Sequence, residues 1–140
     1  GVACVVFASS NHATGFYEQE GIYTTPDMPE RPDTYYGVSK AFGEDMGRYY
    51  VDAFGLRVFC LRIGSFVDAE AVRSRKADRI LSTWLSQRDA VQLVWRCIEA
   101  EQVNYGIFYG ISDNKRAYWD TTNARELVGY APEDDAERLA

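Results

Sequence analysis

A parallel α/β fold is what this sequence predicts, and three observations carry it. Residues 2–8 form a near-continuous apolar run rich in valine, a helical pattern begins at Tyr36, and a second apolar strand pattern follows at 56–63. Short β-branched runs alternating with amphipathic helices are the signature of crossover units, which lay successive strands parallel. The valine-rich run is expected to be a strand buried on both faces, with neighbours on both sides, as parallel sheets require.

The elements follow in order. The first strand pattern ends at Ser9-Ser10. Residues 11–34 hold Pro26, Pro29 and Pro32 and several acidic groups, and read as a surface loop. Asp33 or Thr34 can cap a helix from about Tyr36 to Phe54, where Val38, Phe42, Met46, Tyr49, Tyr50 and Ala53 recur at helical spacing and Gly55 supplies the stop. The strand at 56–63 ends at Gly64-Ser65. Residues 66–79 read as a charged loop, with Arg73, Arg75 and Lys76 on a solvated face. A turn or short helix holds Leu81 to Leu85. An amphipathic helix over about 89–101 is expected to turn Val91, Val94, Trp95 and Ile98 inward. A strand at 106–112 and a short helix at 122–128, stopped by Gly129 with Pro132 beyond it, complete the pattern.

Composition narrows the class of molecule. At 140 residues the chain is one domain at most, and 46% apolar residues suit a globular core. A net charge of −6 argues against nucleic acid or an anionic membrane as the main partner. No apolar stretch approaches spanning length, and the first residues lack a basic leader. Cys4, Cys60 and Cys97 are odd in number and set in apolar runs, so they read as core thiols of a cytoplasmic protein. His12 is the only histidine, which removes multi-histidine metal centres; no metal is expected. No Gly-x-Gly-x-x-Gly turn occurs between a strand and a helix. Residues 1–140 are therefore expected to be a single partial domain, a C-terminal half whose dinucleotide-binding half lies outside this sequence, binding a dinucleotide weakly or not at all by itself.

The chemistry concentrates in Tyr36-Gly37-Val38-Ser39-Lys40 and in Ser10, 26 positions before the tyrosine. A tyrosine and a lysine four apart share one helix face, and an ammonium beside a phenol favours the phenolate. A serine hydroxyl to hold a substrate oxygen makes the set suited to removing a proton from an alcohol.

The order strand, serine, loop, tyrosine, helix, strand resembles the second half of the extended short-chain dehydrogenase/reductase core, a Rossmann-like doubly wound parallel sheet. The strings Phe7-Ala8-Ser9-Ser10-Asn11-His12, Phe42-Gly43-Glu44, Arg62-Ile63-Gly64-Ser65 and Leu81-Ser82-Thr83-Trp84-Leu85-Ser86 are similar to those of the uronate dehydrogenases within it. That resemblance implies NAD-dependent oxidation of glucuronate or galacturonate at C1 to the aldarolactone. It implies Tyr36 as the base, Lys40 as its electrostatic helper and a ligand of the nicotinamide ribose, and Ser10 as the holder of the reacting oxygen. It also implies Asn11 and His12 on ring hydroxyls, Arg79 on the substrate carboxylate, and Ser65 lining the site near the nicotinamide. Dimers in this branch form through the tyrosine helix, so a homo-oligomer through residues 36–54 is expected. Tyr118-Trp119-Asp120 is expected to serve packing. The competing functions are a sugar-nucleotide epimerase or dehydratase of the same branch, or a noncatalytic remnant. The short stretch after Arg62 favours a small, free sugar acid.

Overall fold

A computed structural model describes residues 1–139. Three strands, β1 (Cys4–Ser10), β2 (Arg57–Ile63) and β3 (Tyr105–Gly110), form a parallel sheet in the order β1-β2-β3. Ser9 pairs with Arg62 and Ser10 with Ile63, so both serines belong to the ladder and β1 runs two residues further than the apolar run suggests. β2 is the central strand, with Val58 to Arg62 buried. β1 has one partner strand among the described residues, and Val5 and Ala8 are exposed.

Helix α2 (Tyr35–Phe54) crosses from β1 to β2. Thr34 caps it, its Oγ1 accepting from the Gly37 N–H at 2.9 Å, and Gly55 ends it at φ 67°, where a Cβ would be strained. Small residues let α2 lie close to the sheet. A Cβ on Gly43 would sit 2.3 Å from the Phe7 ring, and one on Gly47 would sit 2.8 Å from Val58. The apolar positions Val38, Phe42, Met46, Tyr49 and Tyr50 face outward, and Gly37, Ala41 and Glu44 face in.

Helix α5 (Gln87–Glu99) crosses from β2 to β3 and packs on the main core with α6 (Thr122–Val128). Leu93 and Cys97 meet Phe59, Leu61, Phe108, Ala124, Val128 and Tyr130 there. The inward face of α5 is Asp89, Leu93 and Cys97, and the expected stripe is reversed. Val91, Val94, Trp95 and Ile98 are exposed, the first two and Trp95 lining an apolar groove with Ile63, Phe66 and Leu85. The reason is that the helix carries two stripes at helical spacing, and buried Asp89 decides between them. Its carboxylate accepts the backbone N–H groups of Glu133 and Asp134 at 3.0 and 3.1 Å, which ties the C-terminal arm to the start of α5.

The two segments read as loops are partly helical. Residues 11–34 contain a 3-10 turn (Asn11–Thr14) and helix α1 (Gly15–Gln19), with Ala13, Thr14 and Tyr17 buried. Residues 66–79 contain helix α3 (Ala69–Arg75), capped by Asp68, and open helix α4 (Asp78–Thr83). Lys76, at φ 43°, separates those two helices. Val72, Ile80, Leu81, Trp84 and Ala136 form a second core beneath them. Among the described residues no helix is long and apolar enough to cross a membrane.

Candidate active site

The C-terminal ends of β1 and β2 open onto a cleft of about 620 Å³. Ligands gather at strand C-terminal ends in open α/β sheets because the loops diverge there. Ser10, Asn11, His12, Tyr36, Lys40, Ser65 and Arg79 all line this cleft, although the sequence separates Ser10 from Arg79 by 69 positions. Arg75, expected on a solvated face, lines it as well.

Each side chain has a local reason for its place. Ser10 ends β1, and its Oγ accepts the His12 backbone N–H at 3.1 Å, starting the 3-10 turn. That turn lays the His12 carbonyl against the start of α2, where a Cβ on Gly37 would fall 2.2 Å from the oxygen. The His12 ring meets the Tyr36 ring edge-on at 6.0 Å, and its Nδ1 lies 2.9 Å from Asp33 Oδ1. Asp33 thus orients the imidazole, while Thr34 takes the cap for which both were candidates. Lys40 follows Tyr36 by one helical turn, with Nζ 5.3 Å from the Tyr36 ring centroid. That ammonium donates to the Ala8 carbonyl at 2.7 Å, which fixes it over the end of β1.

On the opposite wall Asn11 bridges the strand ends. Its Nδ2 donates to the Ile63 carbonyl at 2.9 Å and its Oδ1 accepts from Arg79 Nη2 at 3.2 Å. Ser65 Oγ is 2.8 Å from Thr83 Oγ1 and accepts from Arg79 Nη1 at 3.2 Å. Arg79 Nε donates to Glu18 Oε1 at 2.7 Å, and Tyr118 donates its hydroxyl proton to the same oxygen at 2.9 Å. Burial and this carboxylate together push the Tyr118 pKa up. Tyr118 therefore does more than pack, whereas Trp119 stacks on Tyr109 at 5.4 Å.

Under the cleft lies a buried charge network that sequence reasoning missed. Arg62 donates to both oxygens of Glu44, at 2.9 and 2.7 Å, and neither side chain is more than 1% exposed. Ser9 Oγ donates to Glu44 Oε2 at 2.6 Å, and Arg62 reaches Tyr109, whose hydroxyl is 2.6 Å from Thr14 Oγ1. Burial opposes the Arg62 charge, but the Glu44 carboxylate outweighs it and the pKa of Arg62 rises. Glu30, in the proline-rich loop, faces Glu44 and Asp45. Burial first, then those carboxylates, push its pKa up to about 7, with Arg62 opposing. A glutamate-to-arginine spacing of 18 residues across two elements carries no local signal, which is why the pair was not legible. Among the described residues no cluster of three or more His, Cys, Asp or Glu could hold a metal ion.

A helix-borne tyrosine and lysine facing a strand-end serine, on a parallel α/β sheet, define a dehydrogenase- or epimerase-like class. The chain belongs to the NAD dependent epimerase/dehydratase family, whose model matches residues 1–97. It is 43% identical over 137 residues to a uronate dehydrogenase of Pseudomonas syringae pv. tomato, covering 98% of this chain and 47% of that protein. It is 42% identical over 149 residues to an NAD-dependent glucose-6-phosphate dehydrogenase of Haloferax volcanii, covering 97% and 55%. The crystal structure of uronate dehydrogenase from Agrobacterium tumefaciens superposes with a TM-score of 0.86 at 40% identity, covering 97% of this chain and 48% of that one. A mutant of the Agrobacterium enzyme has been solved complexed with NAD. The chain spans about half the length of the curated relatives it matches.

Proposed function

We propose that the protein carrying this chain oxidises a hexuronate, glucuronate or galacturonate, at C1 with NAD, giving the aldarolactone. The observation that carries this reading is the convergence of Ser10, Tyr36, Lys40 and Arg79 on one cleft. The names of the relatives support the substrate class and the cofactor. The donor set suits a nicotinamide nucleotide. Lys40 gives one N–H to the Ala8 carbonyl and keeps two that can reach a ribose diol. Tyr36 and Ser65 line the cleft beside it. A bound NAD would supply the hydride acceptor for C1.

The chain's own groups do the rest. Ser10 donates its hydroxyl proton to the reacting oxygen. Tyr36 is the base that takes the proton of the anomeric hydroxyl, with the Lys40 ammonium beside it to favour that transfer. Asn11 and His12 meet ring hydroxyls, with Asp33 holding the imidazole in place. Arg79 receives the carboxylate, the group its guanidinium suits. The exposed stripe of Val38, Phe42, Met46 and Tyr49 supports pairing of two copies through α2. Three free cysteines suit a reducing cytoplasm.

The test is NADH formation by the full-length protein, followed by absorbance, with glucuronate, galacturonate, glucose, glucose 6-phosphate and UDP-glucose. Turnover on the uronates, lowered about 100-fold or more by Tyr36→Phe, is the expected result. Undiminished activity in that variant, or activity on UDP-glucose alone, would overturn the reading.

A further inference from the structure

We propose that Glu18 is a specificity-determining residue, a built-in carboxylate that competes with an acidic sugar for Arg79. The inference rests on the reading of Arg79 as the carboxylate anchor and concerns how strongly that anchor selects for acids.

A guanidinium has five N–H donors. In Arg79 four of them are engaged: Nε with Glu18 Oε1 at 2.7 Å, Nη2 with Glu18 Oε2 at 3.4 Å and with Asn11 at 3.2 Å, and Nη1 with Ser65 at 3.2 Å. One N–H of Nη1 is left for a ligand. A sugar carboxylate can accept that single bond, or it can take two parallel bonds by displacing Glu18. The charge is also matched in advance, because Glu18 neutralises Arg79 before any substrate arrives.

Position points the same way. Arg79 stands on a wall shared by two depressions, the cleft with Ser10 and Tyr36 and a smaller one, of about 340 Å³, lined by Glu18, Ile22, Ser82 and Tyr118. Glu18 holds the guanidinium from that second side, and the Tyr118 hydroxyl holds Glu18 in turn. The Glu18 side chain is 21% exposed and that of Arg79 46%, so the pair is open enough to exchange partners. Removing the Glu18 charge leaves Arg79 seated by Asn11 and Ser65 and available to a ligand carboxylate. A neutral sugar does not compete with Glu18 and is indifferent to it.

The experiment uses the full-length protein with Glu18→Gln, which keeps an oxygen for Arg79 and Tyr118 but no charge. Glu20→Gln, on the same surface but paired with Arg31, is the control. Glu18→Gln is expected to lower KM and the calorimetric Kd for glucuronate about two- to fivefold, the upper part of the range of an exposed ion pair. The expected kcat, and KM for any neutral aldose that turns over, stay within about twofold, the scatter of a neutral surface change. In an Arg79→Ala background the same substitution is expected to do nothing, because the two residues act as one unit. Unchanged or weakened glucuronate binding in Glu18→Gln, or an equal change for glucose, would overturn the proposal. The calorimetric arm separates this failure from failure of the proposed reaction. A protein that oxidises no uronate yet binds glucuronate more tightly without Glu18 loses the reaction and keeps the competitor.

Discussion

Replacing Glu30 by glutamine tests the electrostatics under the cleft without touching a residue that lines it. Glu30 faces Glu44 and Asp45 on α2, with the Arg62 charge behind them, and its pKa is raised from 4.5 to about 7. At 1.36 kcal/mol per pKa unit that rise corresponds to about 3.4 kcal/mol. The group is half-buried, so solvent screening reduces the share felt in stability to about 1–2 kcal/mol. The sign follows from linkage. A carboxyl whose folded pKa is raised contributes fully below its unfolded value of 4.5, and that contribution is lost as pH rises through about 7. Urea unfolding of the full-length protein and of Glu30→Gln, measured from pH 4 to 8.5, is the assay. The two proteins are expected to be equally stable near pH 4, and the variant to gain about 1–2 kcal/mol by pH 8. A constant offset across that range, or a variant that loses ground as pH rises, would refute the assignment of a protonated carboxyl beside Glu44.

Two further outcomes follow from contacts in the structure. Gly37→Ala places a methyl 2.2 Å from the His12 carbonyl, against backbone that has no room to yield. It is expected to destabilise the protein by about 2 kcal/mol in thermal unfolding and to lower turnover, since both Tyr36 and His12 must shift. Burial pushes the Cys60 and Cys97 thiols up to about 12, so a charged disulfide reagent at pH 8 is expected to leave both unmodified until urea is added. Rapid labelling of either in the native protein would contradict the packing of β2 against α2 or of α5 against the sheet.

What the sequence made legible is what its chemistry keeps local. The Tyr36–Lys40 pair lies one helical turn apart, so periodicity alone brings the two groups together. The cap, helix and glycine stop of α2 are signals within a few residues of one another, and β2 is a short run that is apolar apart from Arg57 and Arg62. Legibility fails where two local patterns compete. On α5 both the Val91, Val94, Trp95, Ile98 stripe and the Asp89, Leu93, Cys97 stripe have helical spacing, and the polar first member hid the buried one. The acidic Asp89 is inside because the arm at Glu133 and Asp134 supplies its donors, a partnership 44 residues away. Helix α3 was hidden by its own charge, with Val72 its single fully buried side chain. The reading of Arg79 as a carboxylate anchor comes from a resemblance to known strings and not from spacing. Glu18, 61 residues before it, became visible only once α1 and α4 were seen side by side.

The buried pair of Glu44 and Arg62 explains why these separate pieces arrive at the cleft in register. A buried ion pair adds little net stability over apolar side chains of the same shape, but losing one partner costs about 3–5 kcal/mol because the other charge is stranded. Its partners explain what it does for the site. Glu44 belongs to the helix that carries Tyr36 and Lys40, Ser9 precedes Ser10 on β1, and Arg62 lies three residues before Ser65 on β2. Tyr109, which Arg62 touches, is on β3. Alternation along a strand turns Ser10 away from the face that carries Ser9. Fixing the Ser9 hydroxyl at 2.6 Å from Glu44 therefore fixes the backbone from which Ser10 projects. Apolar packing tolerates sliding of a helix along a sheet by fractions of an ångström, whereas two short bonds from one guanidinium to one carboxylate do not. The distance between the Tyr36 phenol on α2 and the Ser10 hydroxyl on β1 is thus set from below, by charges buried beneath the cleft.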